Sequence, residues 1–136
     1  MPVIEVVSIA FVRDGSVLTV RKRGTTRFML VGGKPERGET AEEAARREVR
    51  EEVGLEVGAL TSIGVYVGDA ANEPGHQIHS TTFRADIPAG AEPEAQAEIE
   101  ELRWHPLSEP PTDDLAPVLT EFVLPLLRRA ETSLED

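Results

Sequence analysis

Cysteine is absent from this 136-residue chain, which excludes disulfides, thiolate nucleophiles and Cys-ligated zinc and is in keeping with a reducing compartment. Aromatic residues make up only 4%, so a stacked array of rings for gripping nucleobases has little to draw on. Trp104, Phe28 and Tyr66 are each read first as core packing and second as a surface for a base. Positive charge is also short, with 14 basic against 25 acidic residues and a formal net charge of -11. Affinity built by neutralising a nucleic acid backbone is thereby excluded as the expected mode of binding. No uncharged run approaches the roughly 18 apolar residues of a membrane-spanning helix. The apolar start, Met1 to Val12, carries Glu5, has no basic leader and runs into Arg13-Asp14-Gly15, which reads as a strand and turn rather than a signal peptide. A soluble, cytoplasmic chain with no membrane partner is expected.

What is present suffices for one compact domain, since 40% of the residues are hydrophobic. Val3 to Arg13 and Ser16 to Arg23 are rich in β-branched residues and flank Asp14-Gly15, the signature of a hairpin. Phe28 to Val31 is a short apolar run ended by Gly32-Gly33, after which a polar loop extends to Glu39. Thr40 with Glu43 three residues on forms a capping box, no Gly or Pro interrupts the stretch to Val53, and Gly54 supplies a stop. Glu56 to Gly68 and Gln77 to Ile87 read as strands joined by a loop containing Asn72-Glu73-Pro74-Gly75, and Ile99 to His105 as a shorter one. Apolar residues from Leu115 to Leu127 suit one helix face between Thr112 and Ala130, with Pro117 and Pro125 expected to bend or interrupt it. Mixed strands and two helices predict an α+β fold, an α/β/α sandwich.

Within the first helix, Glu48, Glu51 and Glu52 stand at i, i+3 and i+4 on one face. Ala41, Ala44 and Ala45 lie on the same side, with Val49 and Val53 adjoining, so the carboxylates border the packed side of the helix. Crowded carboxylates near a core need compensation, which Mg²⁺ or Mn²⁺ supplies through oxygen ligands. Taken by itself, the same run of alternating charge also reads as a solvated, salt-bridged helix. The preceding loop favours the first reading: Gly32-Gly33 admits close approach of a ligand, and Lys34 adds a cation for a phosphate. It is not a P-loop, because no Gly-Lys-Ser/Thr ending follows Gly33.

The stretch from Gly33 through Lys34, Glu39, Arg47, Glu48, Glu51, Glu52 and Gly54 to Leu55 resembles the Nudix box at every defining position and spacing. The resemblance implies the Nudix fold, a mixed β-sheet between helices, and hydrolysis of a nucleoside diphosphate linked to another moiety with Mg²⁺ or Mn²⁺. It implies Glu48 and Glu52 as metal ligands, Glu51 as a further or water-mediated ligand, and the carbonyl of Gly32 as another. Arg47 then orients the glutamates, Glu39 supports the loop and helix through a salt bridge, and Lys34 touches the substrate. The general base stays open between the box residues Glu48 and Glu51 and the later Glu98, Glu100 and Glu101. Val31 departs from the pattern, standing where many relatives have proline.

Arg21, Lys22 and Arg23 end the second strand near the expected cleft and are candidates for binding substrate phosphates; alternation lets only Arg21 and Arg23 share a face, and a solvated edge is as good a reading. His76 and His79 fall two ligands short of a structural zinc site. The stretch Ala70 to His79 is the best candidate for a specificity loop. The substrate stays open among nucleoside triphosphates, nucleotide sugars and dinucleotides, as does a homodimer. The competing reading is a nucleotide-sensing module that keeps the fold without turnover.

Overall fold

The computed structural model describes residues 2–71 and 73–135, the side chains of 131–135 excepted; Met1, Asn72 and Asp136 lie outside the described residues. The elements in order are β1 (Val3–Arg13), β2 (Ser16–Lys22), β3 (Val31–Gly33), α1 (Ala41–Val53), β4 (Thr61–Asp69), β5 (Gln77–Ala85), β6 (Ile99–Pro106), a π-helical segment (Val118–Val123) and α2 (Leu124–Glu135). The strands form one mixed sheet in the order β4-β5-β1-β2-β6, with β3 attached to β1. The expected α+β class and the layering of helices on both sides of a mixed sheet are what the chain adopts.

β1 is the axis of the sheet. Over Val3 to Phe11 it runs parallel to β5, at Val7, Ser8 and Ile9 it pairs with β3, and at Val12 and Arg13 it turns into the β2 hairpin. The turn residue Asp14 has φ 51° and Gly15 φ 75°, as a tight connection between twisted strands requires. Because helices cover both faces, β2 shows no clean alternation: Val17, Leu18, Thr19 and Val20 are all buried. One side packs Ile9, Phe11, Leu18 and Val20 under α1, through Ala44, Ala45, Val49 and Val53. The other packs Ala10, Val17 and Tyr66 under Leu119, Val123 and Leu124. Each fully buried aliphatic side chain is worth about 1.5–3 kcal/mol, so these two layers outweigh any single surface ion pair, at ~0–1 kcal/mol.

Boundaries differ from expectation at several elements, chiefly at three. Gly32 and Gly33, read as loop, belong to β3. The strand expected from Glu56 begins only at Thr61, since Leu55 and Val57 turn into the core beside α1. The helix expected from Thr112 begins at Val118 as a π-helix and becomes regular at Leu124. The Leu124 N–H reaches back five residues to the Leu119 carbonyl. The widened turn lies just ahead of Pro125, which has no N–H to continue a regular ladder.

A bulge in the β2–β6 pairing bears on the site. Arg21 opposes Glu101 but Lys22 opposes Ile99, so Glu100 is surplus in β6. Ile99 consequently faces α1 together with Leu102 and Trp104.

Candidate active site

The glycine pair is placed by what a side chain there would strike. A Cβ on Gly32 would run into the Val7 carbonyl of β1, and one on Gly33 would come 2.8 Å from the Glu48 carboxylate. Only glycine lets β3 pass between β1 and α1 at this point. On its far side, α1 begins with the full capping box, Thr40 Oγ1 accepting from Glu43 N–H and the Glu43 carboxylate accepting from Thr40 N–H. It ends at Gly54, whose φ of 71° is left-handed.

This register sends the three expected glutamates to different depths. Glu52 is 2% exposed, and its Oε1 accepts the Gly32 N–H at 3.0 Å. Its Oε2 has no hydrogen-bond partner. Burial pushes the Glu52 carboxyl up to about 8, against the opposing pull of the Gly32 N–H and Lys22. Glu48 lies mostly covered and is likewise raised by burial, with Arg47 pulling the other way. Glu51 is half exposed. The carboxylates therefore grade from core to solvent along one helix face.

Arg47 ties the helix to the loop before it. Its Nε donates to Glu39 Oε2 at 2.8 Å, Nη2 to Glu39 Oε1 at 2.9 Å and to the Lys34 carbonyl at 3.1 Å, and Nη1 to Glu48 at 2.6 Å and Glu51 at 3.2 Å. The guanidinium holds the Glu39 carboxyl down to about 2, with a further contribution from the Glu36 N–H. Glu39 thus braces the loop and does not line the cavity.

The basic residues of β2 sort differently from the expectation. Arg21 pairs with Glu101 at 3.2 Å and Arg23 with Glu100 at 3.4 Å, and neither lines the cavity. The residue between them does. Lys22 shares the α1 side of the strand with Leu18 and Val20, and its Nζ lies 3.4 Å from Glu98 Oε1 and 4.0 Å from the unpartnered Glu52 Oε2. Of the three later glutamates, Glu98 alone reaches the cavity, held by its own carbonyl accepting the Arg23 N–H at 2.8 Å.

Lys22, Arg47, Glu48 and Glu98 open onto a cavity of about 500 Å³, whereas Glu51 and Glu52 are not among its lining residues. Gly32, Gly33, Lys34, Arg47 and Glu48 form its polar end, while Ile4, Val6, Met29, Leu30, Ile78 and Val118 line an aliphatic stretch. Ala70, Ala71 and Glu73, from the stretch expected to set specificity, wall its rim, and Lys34 reaches Glu73 at 3.7 Å. The three candidate stacking residues are elsewhere: Trp104 lies under Arg13, Phe28 under Arg103, and Tyr66 against Phe122. His76 contacts the Pro74 carbonyl and His79 contacts Glu5, two separate surroundings.

A family model described as the NUDIX domain matches residues 1–125. The chain belongs to the NUDIX family. Its NUDIX relatives include an ADP-ribose pyrophosphatase of Methanocaldococcus jannaschii, 33% identical over 73% of this chain and 59% of that one. An oxidized purine nucleoside triphosphate hydrolase of Mus musculus is 36% identical over 74% of this chain and 64% of its own. The matched stretches thus span less than two thirds of either relative. The solved MutT NUDIX hydrolase of Burkholderia pseudomallei superposes with a TM-score of 0.77 at 25% identity, over 92% of this chain and 98% of that one.

NUDIX membership raises the question of a divalent cation, and the donor set can be tested for it. Among the described residues no three acidic or histidine side chains are gathered into a ready ligand set; Arg47 Nη1 instead lies between Glu48 and Glu51. Two observations nevertheless fit a hard cation. The Glu52 oxygen without a hydrogen-bond partner is buried, and the missing Cβ of Gly33 leaves the Glu48 carboxylate uncovered from that side. Among the described residues no helix is long and apolar enough to cross a membrane.

Proposed function

We propose that the protein hydrolyses a phosphoric anhydride bond in a small nucleotide-like substrate, assisted by Mg²⁺ or Mn²⁺. The observation that carries this reading is Glu52: a carboxylate buried behind Gly32 and Lys22, which line the 500 Å³ cavity, with one oxygen fixed by Gly32 N–H and the other lacking a donor. Burying such a group costs several kcal/mol unless something compensates it, which is difficult to reconcile with a purely structural role. The names of the relatives, a pyrophosphatase and a triphosphate hydrolase, support the same chemistry.

Glu48 and Glu52, with Glu51 and the Gly32 carbonyl, would hold the cation. When bound, it supplies charge neutralisation at the phosphates and lowers the pKa of an attacking water. The chain's own residues do the rest. Arg47 fixes the rotamers of Glu48 and Glu51, Lys34 meets substrate phosphate at the polar end, and the aliphatic stretch excludes water from one side of the cleft. Water oxygen bonds to phosphorus as the bridging P–O bond breaks, the departing phosphate carries off that electron pair, and a glutamate accepts the proton. Of the candidate bases, Glu48 and Glu98 line the cavity.

The test is incubation of the pure protein with Mg²⁺ and a panel of intact and oxidised nucleoside triphosphates, ADP-ribose, nucleotide sugars and dinucleotides, with phosphate and pyrophosphate release as the readout. Turnover that vanishes with EDTA is expected for at least one class. Tight nucleotide binding with no product from any of them would replace the hydrolase by a nucleotide-sensing module.

A further inference from the structure

We infer that Lys22 is the resident counter-cation of this site, its ammonium compensating Glu52 and Glu98 until a divalent cation takes over that role and frees it to meet substrate phosphate. The inference rests on the metal-dependent reading above and goes beyond it by coupling the two binding events through one side chain.

Four observations carry it. The Glu52 carboxylate has one oxygen without a hydrogen bond, and Lys22 Nζ, at 4.0 Å, is its nearest positive charge among the described ion pairs. That separation is too long for a hydrogen bond, so the ammonium acts on Glu52 by charge alone. The same ammonium is 3.4 Å from Glu98, whose side chain is 61% exposed, and a contact with so solvated a partner is easily given up. The neighbouring arginines are engaged elsewhere, Arg21 with Glu101 and Arg23 with Glu100. Lys22 is also the residue type suited to a handover, a compact charge on a flexible stem, whereas a guanidinium would lock to its carboxylate.

The consequence is a linkage. A cation approaching Glu52 meets an ammonium of like sign and must displace it, which weakens metal binding by the free protein. Once displaced, that charge stands on the wall of a cavity whose polar end also carries Lys34, and phosphate binding recovers what the metal lost. The free protein is then a poor metal binder and the substrate-bound one a good binder.

The experiment uses the full chain and three proteins, wild type, Lys22→Met and Lys22→Arg, with melting curves in EDTA to establish folding and Lys22→Gln held in reserve if the methionine variant does not fold. Calorimetric titration with Mn²⁺ alone is expected to show Lys22→Met binding tighter than wild type by about an order of magnitude, as removal of a like charge a few ångströms away implies. Lys22→Arg should stay as weak as wild type. Inorganic tripolyphosphate, added as its Mn²⁺ complex, should bind Lys22→Met several-fold more weakly than wild type. Equal or weaker Mn²⁺ binding by Lys22→Met overturns the assignment. Tighter Mn²⁺ binding with unaltered tripolyphosphate affinity overturns the handover. If neither protein binds Mn²⁺ even with tripolyphosphate present, the metal-dependent reading itself fails, an outcome distinct from equal affinities in two proteins that do bind.

Discussion

Arg47 meets Glu39 through two parallel hydrogen bonds, Nε to Oε2 at 2.8 Å and Nη2 to Oε1 at 2.9 Å. The same guanidinium reaches Glu48 and Glu51. Loop and helix are thus joined by one planar group whose five donors no lysine can reproduce. Arg47→Lys and Glu39→Gln are each expected to lower kcat by about 10–100-fold, the usual effect of losing a partner that orients ligands, with a smaller change in KM. Steady-state kinetics on folded variants would check this. Turnover close to wild type in both would show that the carboxylates keep their places without the clasp.

Glu52→Gln separates catalysis from stability. An amide can still accept the Gly32 N–H, and it removes a carboxyl that burial holds near a pKa of about 8. The melting temperature without metal is expected to stay level or rise, while kcat falls by more than about a hundredfold, beyond the loss of an outer partner. A variant that melts early, or one that turns over normally, contradicts the assigned role.

The two glycines of β3 make a paired prediction. Gly33→Ala places its methyl against the Glu48 carboxylate, the end of a side chain that can move, so activity should drop while stability changes by no more than about 1–3 kcal/mol. Gly32→Ala drives its methyl into the Val7 backbone, which cannot move without unpairing β1 from β3. Its destabilisation should be the larger of the two in chemical denaturation, and the reverse order would refute the packing described.

Acid stability should depend on Arg103. Its guanidinium donates to both Asp114 oxygens, at 2.9 and 2.8 Å, and with Thr112 it holds the Asp114 carboxyl well below the usual carboxylate range. A carboxyl with a depressed folded pKa contributes stability that is present above its unfolded value, near 4, and is lost as pH falls through the folded one. Glu39, held down to about 2, acts in the same direction. Melting temperature should therefore fall as pH drops below about 4, and Arg103→Gln should flatten that limb. An unchanged acid slope in the variant would assign the loss to other groups.

Much of this was legible in the residues, and the exceptions have physical causes. The helix from Ala41 to Val53 has a Thr40 cap, a Gly54 stop and an unbroken run between them, so local chemistry decides it. β3 was hidden because Gly-Gly carries no strand signal; its pairing with β1 is imposed by close approach and not by propensity. Lys22 stands with its neighbours as a candidate in the sequence but gives way to the two arginines, for a related reason. Alternation suggests Arg21 and Arg23 on a common face, but Val17 to Val20 are buried on both sides, so no polarity pattern tells which face looks into the cleft. The box glutamates are singled out by their spacing. That spacing does not reveal that Glu52 is buried, Glu51 is half exposed and Arg47 stands between Glu48 and Glu51, because those depths depend on how far the helix sinks onto the sheet.

The surplus residue in β6 sets how much positive charge the cleft can use. By doubling up opposite Arg21, Glu100 and Glu101 give each flanking arginine its own acidic neighbour. A chain lacking Glu100 would zip β6 into a regular ladder, with Ile99 still facing inward and Arg23 deprived of its counterpart. One inserted amino acid at the sheet margin thereby acts as a charge valve, neutralising two guanidinium groups on the outer side and leaving the intervening amine to the chemistry within.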